Sequence, residues 1–466
     1  SLSDIDFQCR FLCRDLPGNA GDIISARGYQ VNFFEWGDHC HQSQDIGATL
    51  QYAGDWCADW IIADHYELDV DWERSVRDRG YRILVLDDWP HRHHDCDMLL
   101  DHNLGADKEQ YSDWVNPDCQ IISGSTYALI RSEFSRKSSR PVRRGDRPVK
   151  IFLNMGGADH HGITDVILDH VSNAPDGLIS DIRVLVNERS ISYGRIRDKI
   201  STGYYPFIVK LLPFTDAMCD EYDQADIAIG AGGVSILERA SRALPSALVI
   251  IADNQRASSE AAVSAGIAVK IADFTRSDAF DSAVLFDLIA SPEKLNDMRA
   301  CAQRLVDVNG SDRVARELLL HSRKDICLIR ASAEDSRLFY SWQREPGARR
   351  FFRNTDVPRW SEHQSWFIRT INSNKTVLYK IMLYDSAMGY VRIDYCSRSV
   401  AEISVLVARR FRGFGIASYA LNVCCGMHSG LNLRAEIKAG NYASRRSFRR
   451  VGFQPSGKGC YVRKRR

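Results

Sequence analysis

A chain of 466 residues that is 44% hydrophobic and 26% charged, with a formal net charge of +1, is too long for one hydrophobic core and has the make-up of a globular protein, not a disordered one. It holds no uninterrupted apolar stretch of the roughly 18 residues that a membrane-spanning helix needs, so no membrane contact is expected, and its charge gives no overall pull toward nucleic acid. Its 13 cysteines, odd in number and without a repeated spacing, suit reduced thiols and a cytoplasmic location better than a disulfide framework.

From the N-terminus, short apolar runs alternate with amphipathic segments: Trp60-Ile61-Ile62-Ala63, Ile83-Leu84-Val85-Leu86, Ile151-Phe152-Leu153, Ile182 to Val186, Ile227-Ala228-Ile229 and Ala247 to Ile251. This is the rhythm of βαβ units around parallel sheets. Several runs end in Asp, Asn or Gly, as at Asp64, Asp87, Asn154 and Gly230. Such positions lie at the carboxyl ends of strands, where open α/β sheets bind ligands. The polar, basic, proline-bearing run 135–149 reads as a linker between a domain of residues 1–134 and one of residues 150–322. It has no interleaved aromatics, so a solvated hinge is expected there and not a nucleic-acid patch. His91, His93, His94, Cys96 and His102 cluster at spacings that fit no closed Cys/His site, so no metal is expected. The pair His160-His161 reads as phosphate-side or solvent-facing. A further boundary falls near His321-Ser322-Arg323-Lys324, beyond which residues 323–466 carry an α+β pattern.

In the stretch Ile227 to Glu238 a strand ends in Gly230, Gly232 and Gly233 and a helix begins at Ser235. Glu238, one turn in, can accept two hydrogen bonds from a ribose diol while helix-start amides face a phosphate. With Pro245 and Gln255, this stretch resembles the UDP-sugar site of the glycosyltransferase B superfamily. Four further segments narrow the match: Asp64-His65-Tyr66, Asp87-Asp88, His94 to Asp101, and Tyr127 to Phe134. Together with Asn154-Met155-Gly156-Gly157-Ala158-Asp159 they resemble the UDP-2,4-diacetamido-2,4,6-trideoxy-β-L-altropyranose hydrolases of pseudaminic acid synthesis, over residues 7 to 290. The resemblance implies two Rossmann-like domains of glycosyltransferase B type and release of UDP from a UDP-linked sugar. Its expected UDP-sugar residues are Asp64, His65, Tyr66, Asp87, Asp88, Tyr127, Gly156, Gly157, Gly232, Gly233, Ser235, Glu238 and Gln255. Members of that family open with a strand, a Gly-x-Gly-His-x-x-Arg loop and a helix, and that histidine is the expected base. Here Phe7 to Arg14 matches the second strand, so the first domain is expected to be incomplete. The start at Ser1 points to a fragment more than to lost chemistry.

In the last third, the strand Val400 to Ala408 runs into Arg410-Phe411-Arg412-Gly413-Phe414-Gly415-Ile416-Ala417, which opens a helix. Glycines at a helix start let the backbone approach a pyrophosphate, whose charge the free N–H groups and the helix dipole stabilise. A second strand, Leu433 to Lys438, leads to Asn441, Ser444, Phe448 and Gly452-Phe453. Together these resemble the GCN5-related N-acetyltransferase family. The resemblance implies acetyl-CoA as cofactor, with main-chain groups of Leu406 and Val407 on the pantetheine arm and the loop Arg410 to Ala417 on the pyrophosphate. Asn441 and Phe448 would flank the cofactor. Glu402, on the strand before the loop, is the candidate base for an ammonium that must lose its proton. Phe448 stands where many members carry a tyrosine that protonates the leaving thiolate. Tyr461 or Tyr442 is expected to substitute, or the thiolate leaves without help. Upstream, Trp342-Gln343-Arg344, Arg349 to Phe352 and His363 to Phe367 resemble the acceptor side of amino-sugar N-acetyltransferases of the pseudaminic acid type, or form the core of two short helices.

The expected whole is a bifunctional enzyme that acetylates the amine of a UDP-linked 4-amino-4,6-dideoxy sugar and hydrolyses the product to sugar and UDP. A non-hydrolytic UDP-sugar-binding module and a glycosyltransferase are the alternatives.

Overall fold

The computed structural model describes all residues except 1, 3–6, 17–18, 36–41, 136–146, 157–158, 160–161, 189, 214, 216, 277–278, 323–324 and 466. Most of the expected linker, Gly157 and the pair His160-His161 therefore lie outside the described residues. The backbone divides into two compact units, one of Arg10–Arg313 and one of Ser1–Cys9 with Val314–Arg466.

Among the described residues, the first unit is wholly parallel in its strand pairing. Strands β1 (Arg10–Asp15) and β2 (Gln30–Glu35) form a two-stranded sheet. A four-stranded sheet follows, in the order β3 (Trp60–Ala63), β4 (Arg82–Leu86), β5 (Met98–Asp101), β6 (Gln120–Ser123). Among the described residues no strand ladder joins β1 to β3. Their ends are nonetheless neighbours: Arg14 of β1 lies 3.3 Å from Nε2 of His65, just past β3.

Strands β7 (Val149–Asn154), β8 (Ile179–Leu185), β9 (Ile208–Leu212), β10 (Ile227–Ala231), β11 (Ser246–Ile250) and β12 (Ala268–Asp273) build a six-stranded sheet in the order β12-β11-β10-β7-β8-β9. Every residue of β10 and β11 is buried, which is why these strands are continuous apolar runs without alternation. The chain winds outward from β7 on one side and from β10 on the other, so the switch in strand order falls between them. Open α/β sheets bind ligands outside such a point. A short helix, α1 (Ser235–Ser241), follows β10 there.

The second unit is α+β. Its seven strands run in the order β13 (Cys327–Arg330), β14 (Thr376–Leu383), β15 (Ser386–Tyr395), β16 (Val400–Val407), β17 (Asn432–Glu436), β19 (Cys460–Arg463), β18 (Gln454–Pro455). Helices α2 (Ser336–Arg344) and α3 (Trp360–Ile371) precede β14. Helix α4 (Ile416–Met427) lies between β16 and β17, and α5 (Tyr442–Arg450) follows β17. The core gathers Phe339 against Tyr390 at 4.9 Å and Phe367 at 5.0 Å between ring centroids. Trp342 and Phe367 are buried core aromatics, so for these two the core alternative holds.

Gly389 makes the β15–β16 ladder possible. Its φ is +149°, and a β-carbon there would stand 2.1 Å from the Leu406 carbonyl oxygen. We expect Gly389→Ala to cost on the order of 3 kcal/mol, through clash and backbone strain together, read as a lower urea midpoint at unchanged slope. No helix among the described residues is long and apolar enough to cross a membrane.

Candidate functional sites

The second unit carries a cleft of about 990 Å³ at the point where β16 and β17 part. These strands pair in parallel only as far as Glu402↔Arg434. Beyond that, β16 continues to Val407 paired with β15 alone, so among the described residues its other edge carries no strand partner from Ile403 onward. Ile403 to Val407 line one wall of the cleft, and Glu436, Ile437 and Lys438 line the other. An unpaired strand edge offers a row of main-chain donors and acceptors to an extended ligand.

At the end of that edge the chain turns into α4. Gly413 (φ +91°) and Gly415 (φ +75°) are both left-handed, and a β-carbon on either would enter open space. Glycine is needed here for its backbone angle and not for room. Gly415 is the N-cap of α4, with no side chain capping the first turn, and with Ser418 N–H bonding the Gly415 carbonyl at 3.0 Å the N–H groups of Ile416 and Ala417 are left to a ligand. Arg412 braces the loop, donating from Nε to the Val407 carbonyl at 2.9 Å and pairing with Glu345 at 3.2 Å.

Of the residues expected around a cofactor, the cleft brings together Glu402, Leu406, Val407, Arg412, Gly413, Gly415, Ile416, Ala417, Asn441 and Phe448. Four expected residues need correction. Arg410 packs over Phe411 and Phe414 lies under Arg316, both outside the cleft lining. Tyr461 sits in β19, which pairs with β17 on the side away from β16, and its ring is buried in the core and not in the cleft. Tyr442 is exposed at the start of α5 and also stands outside the cleft. The phenol that does line it is Tyr390 of β15, which burial pushes up to about 12.

Glu402 accepts hydrogen bonds from Arg353 at 2.6 Å and Arg434 at 3.4 Å, and Arg353 also bonds Glu436 at 2.8 Å. Two carboxylates thus share one cation at the cleft mouth. Arg353 is 70% exposed on a side-chain basis, so it is held by charge, not by packing, and an incoming ammonium could take its place. Deeper in, Arg392 lies over Trp366 at 5.6 Å. Burial holds the His363 imidazole below its usual range while its Nε2 bonds the Ser336 carbonyl at 2.9 Å.

In the first unit, register Gly230↔Asn154 sets the ends of β10 and β7 side by side. This brings Gly156 (φ +94°) next to the turn of Gly232 and Gly233 (φ +95°) and to Ser235 at the start of α1. Gly232 leaves no space for a side chain: a β-carbon would meet Ser259 Oγ at 2.5 Å and Gln255 Cβ at 2.9 Å. Gln255 itself accepts from the Ile251 N–H at 3.3 Å. Glu238 is bound by Arg131, Nε to Oε1 at 2.9 Å and Nη2 to Oε2 at 3.4 Å, so a diol there would compete with a guanidinium that the sequence did not point to.

Asp64, His65 and Tyr66 follow β3, and Asp88 follows β4. Tyr66 donates to Asp88 at 2.7 Å and accepts from Asn254 Nδ2 at 3.1 Å, which ties the four-stranded sheet to the segment after β11. Burial raises the Asp64 carboxyl and lowers the His65 imidazole, so both are drawn toward their neutral forms. Tyr127 lies past β6, at the opposite edge of this sheet from Asp64. Asp87 is corrected from ligand contact to support. Its side chain is fully buried, bonding His94 Nε2 at 2.9 Å and accepting from Arg92 Nε at 3.3 Å. The cysteine of the histidine cluster faces a thiol: Cys96 Sγ lies 3.6 Å from Cys119 Sγ.

With this geometry in view, residues 325–454 match the family model described as acetyltransferase (GNAT) domain. The C-terminal unit therefore carries a GNAT acetyltransferase domain. Over 173 residues the chain is 30% identical to the UDP-2,4-diacetamido-2,4,6-trideoxy-beta-L-altropyranose hydrolase of Campylobacter jejuni, a match covering 37% of this chain and 57% of that protein. The chain thus spans little more than half the length of this curated relative. Similar solved structures include the RimL ribosomal L7/L12 alpha-N-protein acetyltransferase in complex with coenzyme A, at 16% identity and TM-score 0.28, covering 30% of this chain and 94% of that one. They also include Acinetobacter baumannii MurG, at 12% identity and TM-score 0.47, covering 66% of this chain and 90% of that one.

Proposed function

We propose, starting from a C-terminal domain that is a GNAT acetyltransferase over residues 325–454, that this chain transfers an acetyl group from acetyl-CoA to the 4-amine of a UDP-linked 4-amino-4,6-dideoxy sugar. We propose also that the unit Arg10–Arg313 holds the nucleotide sugar and releases UDP from the diacetamido product. The observation that carries the first half is the open edge of β16 running into the uncapped start of α4. The cofactor, when bound, supplies an activated thioester.

The chain's own groups fit it. Val407 turns its main-chain groups to the open edge, suited to the amides of a pantetheine arm, whereas Leu406, opposite Tyr390, turns its own toward β15. The loop from Gly413 to Ala417 offers its amides to a pyrophosphate, with Gly413 and Gly415 supplying the left-handed turns that present them, while the Arg412 amide bonds the Arg409 carbonyl at 3.2 Å. Asn441 and Phe448 flank the other wall. Glu402 accepts the proton of the acceptor ammonium, directly or through a water, and Arg353 leaves as the ammonium arrives. Phe448 has no proton to give, and Tyr461 is buried away, so no side chain is assigned to protonate the departing thiolate.

For the second half, the support is the hydrolase name of the relative and the meeting of Gly156, Gly232, Gly233 and Ser235 at the β7–β10 switch point. Hydrolysis in the absence of acceptor supports it. UDP release that requires an added sugar or lipid acceptor supports glycosyl transfer instead, and binding without release supports a module that only presents substrate.

The decisive measurement for the first half is free thiol from acetyl-CoA that appears only with a UDP-4-amino sugar. A folded chain that binds CoA yet releases no thiol with any 4-amino sugar nucleotide overturns the acceptor assignment. Gly415→Val forces a β-branched residue into the left-handed region, costing about 1–2 kcal/mol and turning the loop amides. We expect the Kd for CoA, by calorimetry, to rise about tenfold.

A further inference from the structure

Arg316 stands on the helix Gly310–Ser322, ahead of the residues that match the acetyltransferase family. Leu319, a turn further along the same helix face, is fully buried in the core of the C-terminal unit, so packing seats the helix there. Arg316 itself is exposed and lines the cleft. It donates from Nη2 to the Gly413 carbonyl at 3.2 Å, and its guanidinium lies over the Phe414 ring at 5.7 Å. Among the described residues no main-chain donor reaches that carbonyl, and no acidic side chain pairs with Arg316. Two contacts from a packed helix thus converge on the middle of the loop that opens α4.

That loop is held between two left-handed glycines, Gly413 and Gly415. Glycine has more backbone freedom to lose than any other residue, so a loop built on two of them is costly to fix at the moment a ligand arrives. An anchor already in place removes that cost from binding. Arginine suits the task, because its planar guanidinium stacks on a ring while its edge donates to a carbonyl. We infer that Arg316 is a positioning residue for the acetyl-CoA loop, holding Gly413 and Phe414 ready for the ligand from outside residues 325–454. This rests on the cofactor reading above. The acetyltransferase site of this chain is then completed by the helix before the domain, and a change in that helix reaches CoA affinity without touching Glu402 or the open edge of β16.

The full chain and its Arg316→Ala variant are compared in three measurements. By calorimetry the variant is expected to bind CoA about tenfold more weakly, the loss of one hydrogen bond from a charged donor. In steady-state kinetics the KM for acetyl-CoA rises by a similar factor while kcat at saturating acetyl-CoA stays within about twofold, because bound ligand re-forms the loop. In the unliganded protein the amides of Gly413, Phe414 and Gly415 exchange with deuterium about tenfold faster, at an unchanged melting temperature, since the side chain is exposed. Equal CoA binding by parent and variant overturns the inference. Weaker binding with unchanged loop exchange also overturns it, by placing Arg316 on the ligand's charge and not on the loop. A lower melting temperature with loss of kcat overturns it in favour of a purely structural role. A parent that binds no CoA overturns the cofactor reading instead, while loop exchange still reports whether Arg316 holds Gly413.

Discussion

Replacing Glu402 by Gln lowers acetyl transfer by about 10²- to 10⁴-fold, the span that a positioned general base contributes, while the Kd for CoA stays as it was. Glutamine keeps the shape of the side chain, and its amide oxygen can still accept from Arg353 and Arg434, so the mouth of the cleft is not dismantled. What it loses is the ability to take a proton. The acceptor amine arrives as an ammonium, and more of it does so as pH falls. The loss is therefore deepest at low pH and shrinks as pH rises and the free amine becomes abundant. A variant whose rate keeps the parent's pH profile removes Glu402 from the role of base. Glu436 shares Arg353 with Glu402, and it is the next carboxylate to test in that event.

His94→Leu is expected to be the most damaging single change in the first unit, lowering stability by about 3–5 kcal/mol. His94 is buried between Glu73, 2.7 Å from Nδ1, and Asp87, 2.9 Å from Nε2. Burial alone would discharge the imidazole, but the hydrogen bonds that its N–H groups donate to Asp87 and Glu73 outweigh it and push His94 up to about 9 from 6.5. Leucine would leave Glu73 buried without the imidazolium and Asp87 with Arg92 alone. The same linkage sets a pH dependence. A group whose folded value is raised contributes stability that is complete below its unfolded value of 6.5 and is lost as pH climbs through about 9. Urea unfolding of parent and variant across that window should therefore show their difference shrinking as pH rises, by roughly 3 kcal/mol. A difference that stays constant from pH 6 to pH 10 would falsify the charged bridge.

Much of the α/β architecture was legible because parallel strands buried on both faces are written as apolar runs, as in Ile227-Ala228-Ile229 and Ala247 to Ile251. The loop of Gly413 and Gly415 was legible because left-handed turns at a helix start demand glycine. Asp87 misled because a carboxylate at a strand end reads alike whether it meets a ligand or a buried histidine. Its partners, His94 and Glu73, come from other elements, and pairing across elements leaves no local trace. Tyr461 misled similarly: a tyrosine near the terminus satisfies the chemistry on paper, but the order β16-β17-β19 puts a whole strand between it and the cleft. Arg131 on Glu238 and Arg353 on Glu402 are also long-range pairings with no spacing to betray them. Arg316 on the Gly413 carbonyl is a third.

The parting of β16 from β17 has a thermodynamic side as well. A strand edge left open from Ile403 to Val407 forgoes the hydrogen bonds a neighbouring strand would give, and a ligand laid along it acts as a removable strand of the sheet. Folding and occupancy are then linked by mass action: a ligand at a hundred times its Kd adds about 2.7 kcal/mol to the stability of the domain. The acetyltransferase half of the chain would accordingly gauge the cofactor supply around it, opening more often, and exchanging its amide hydrogens faster, whenever that supply runs low.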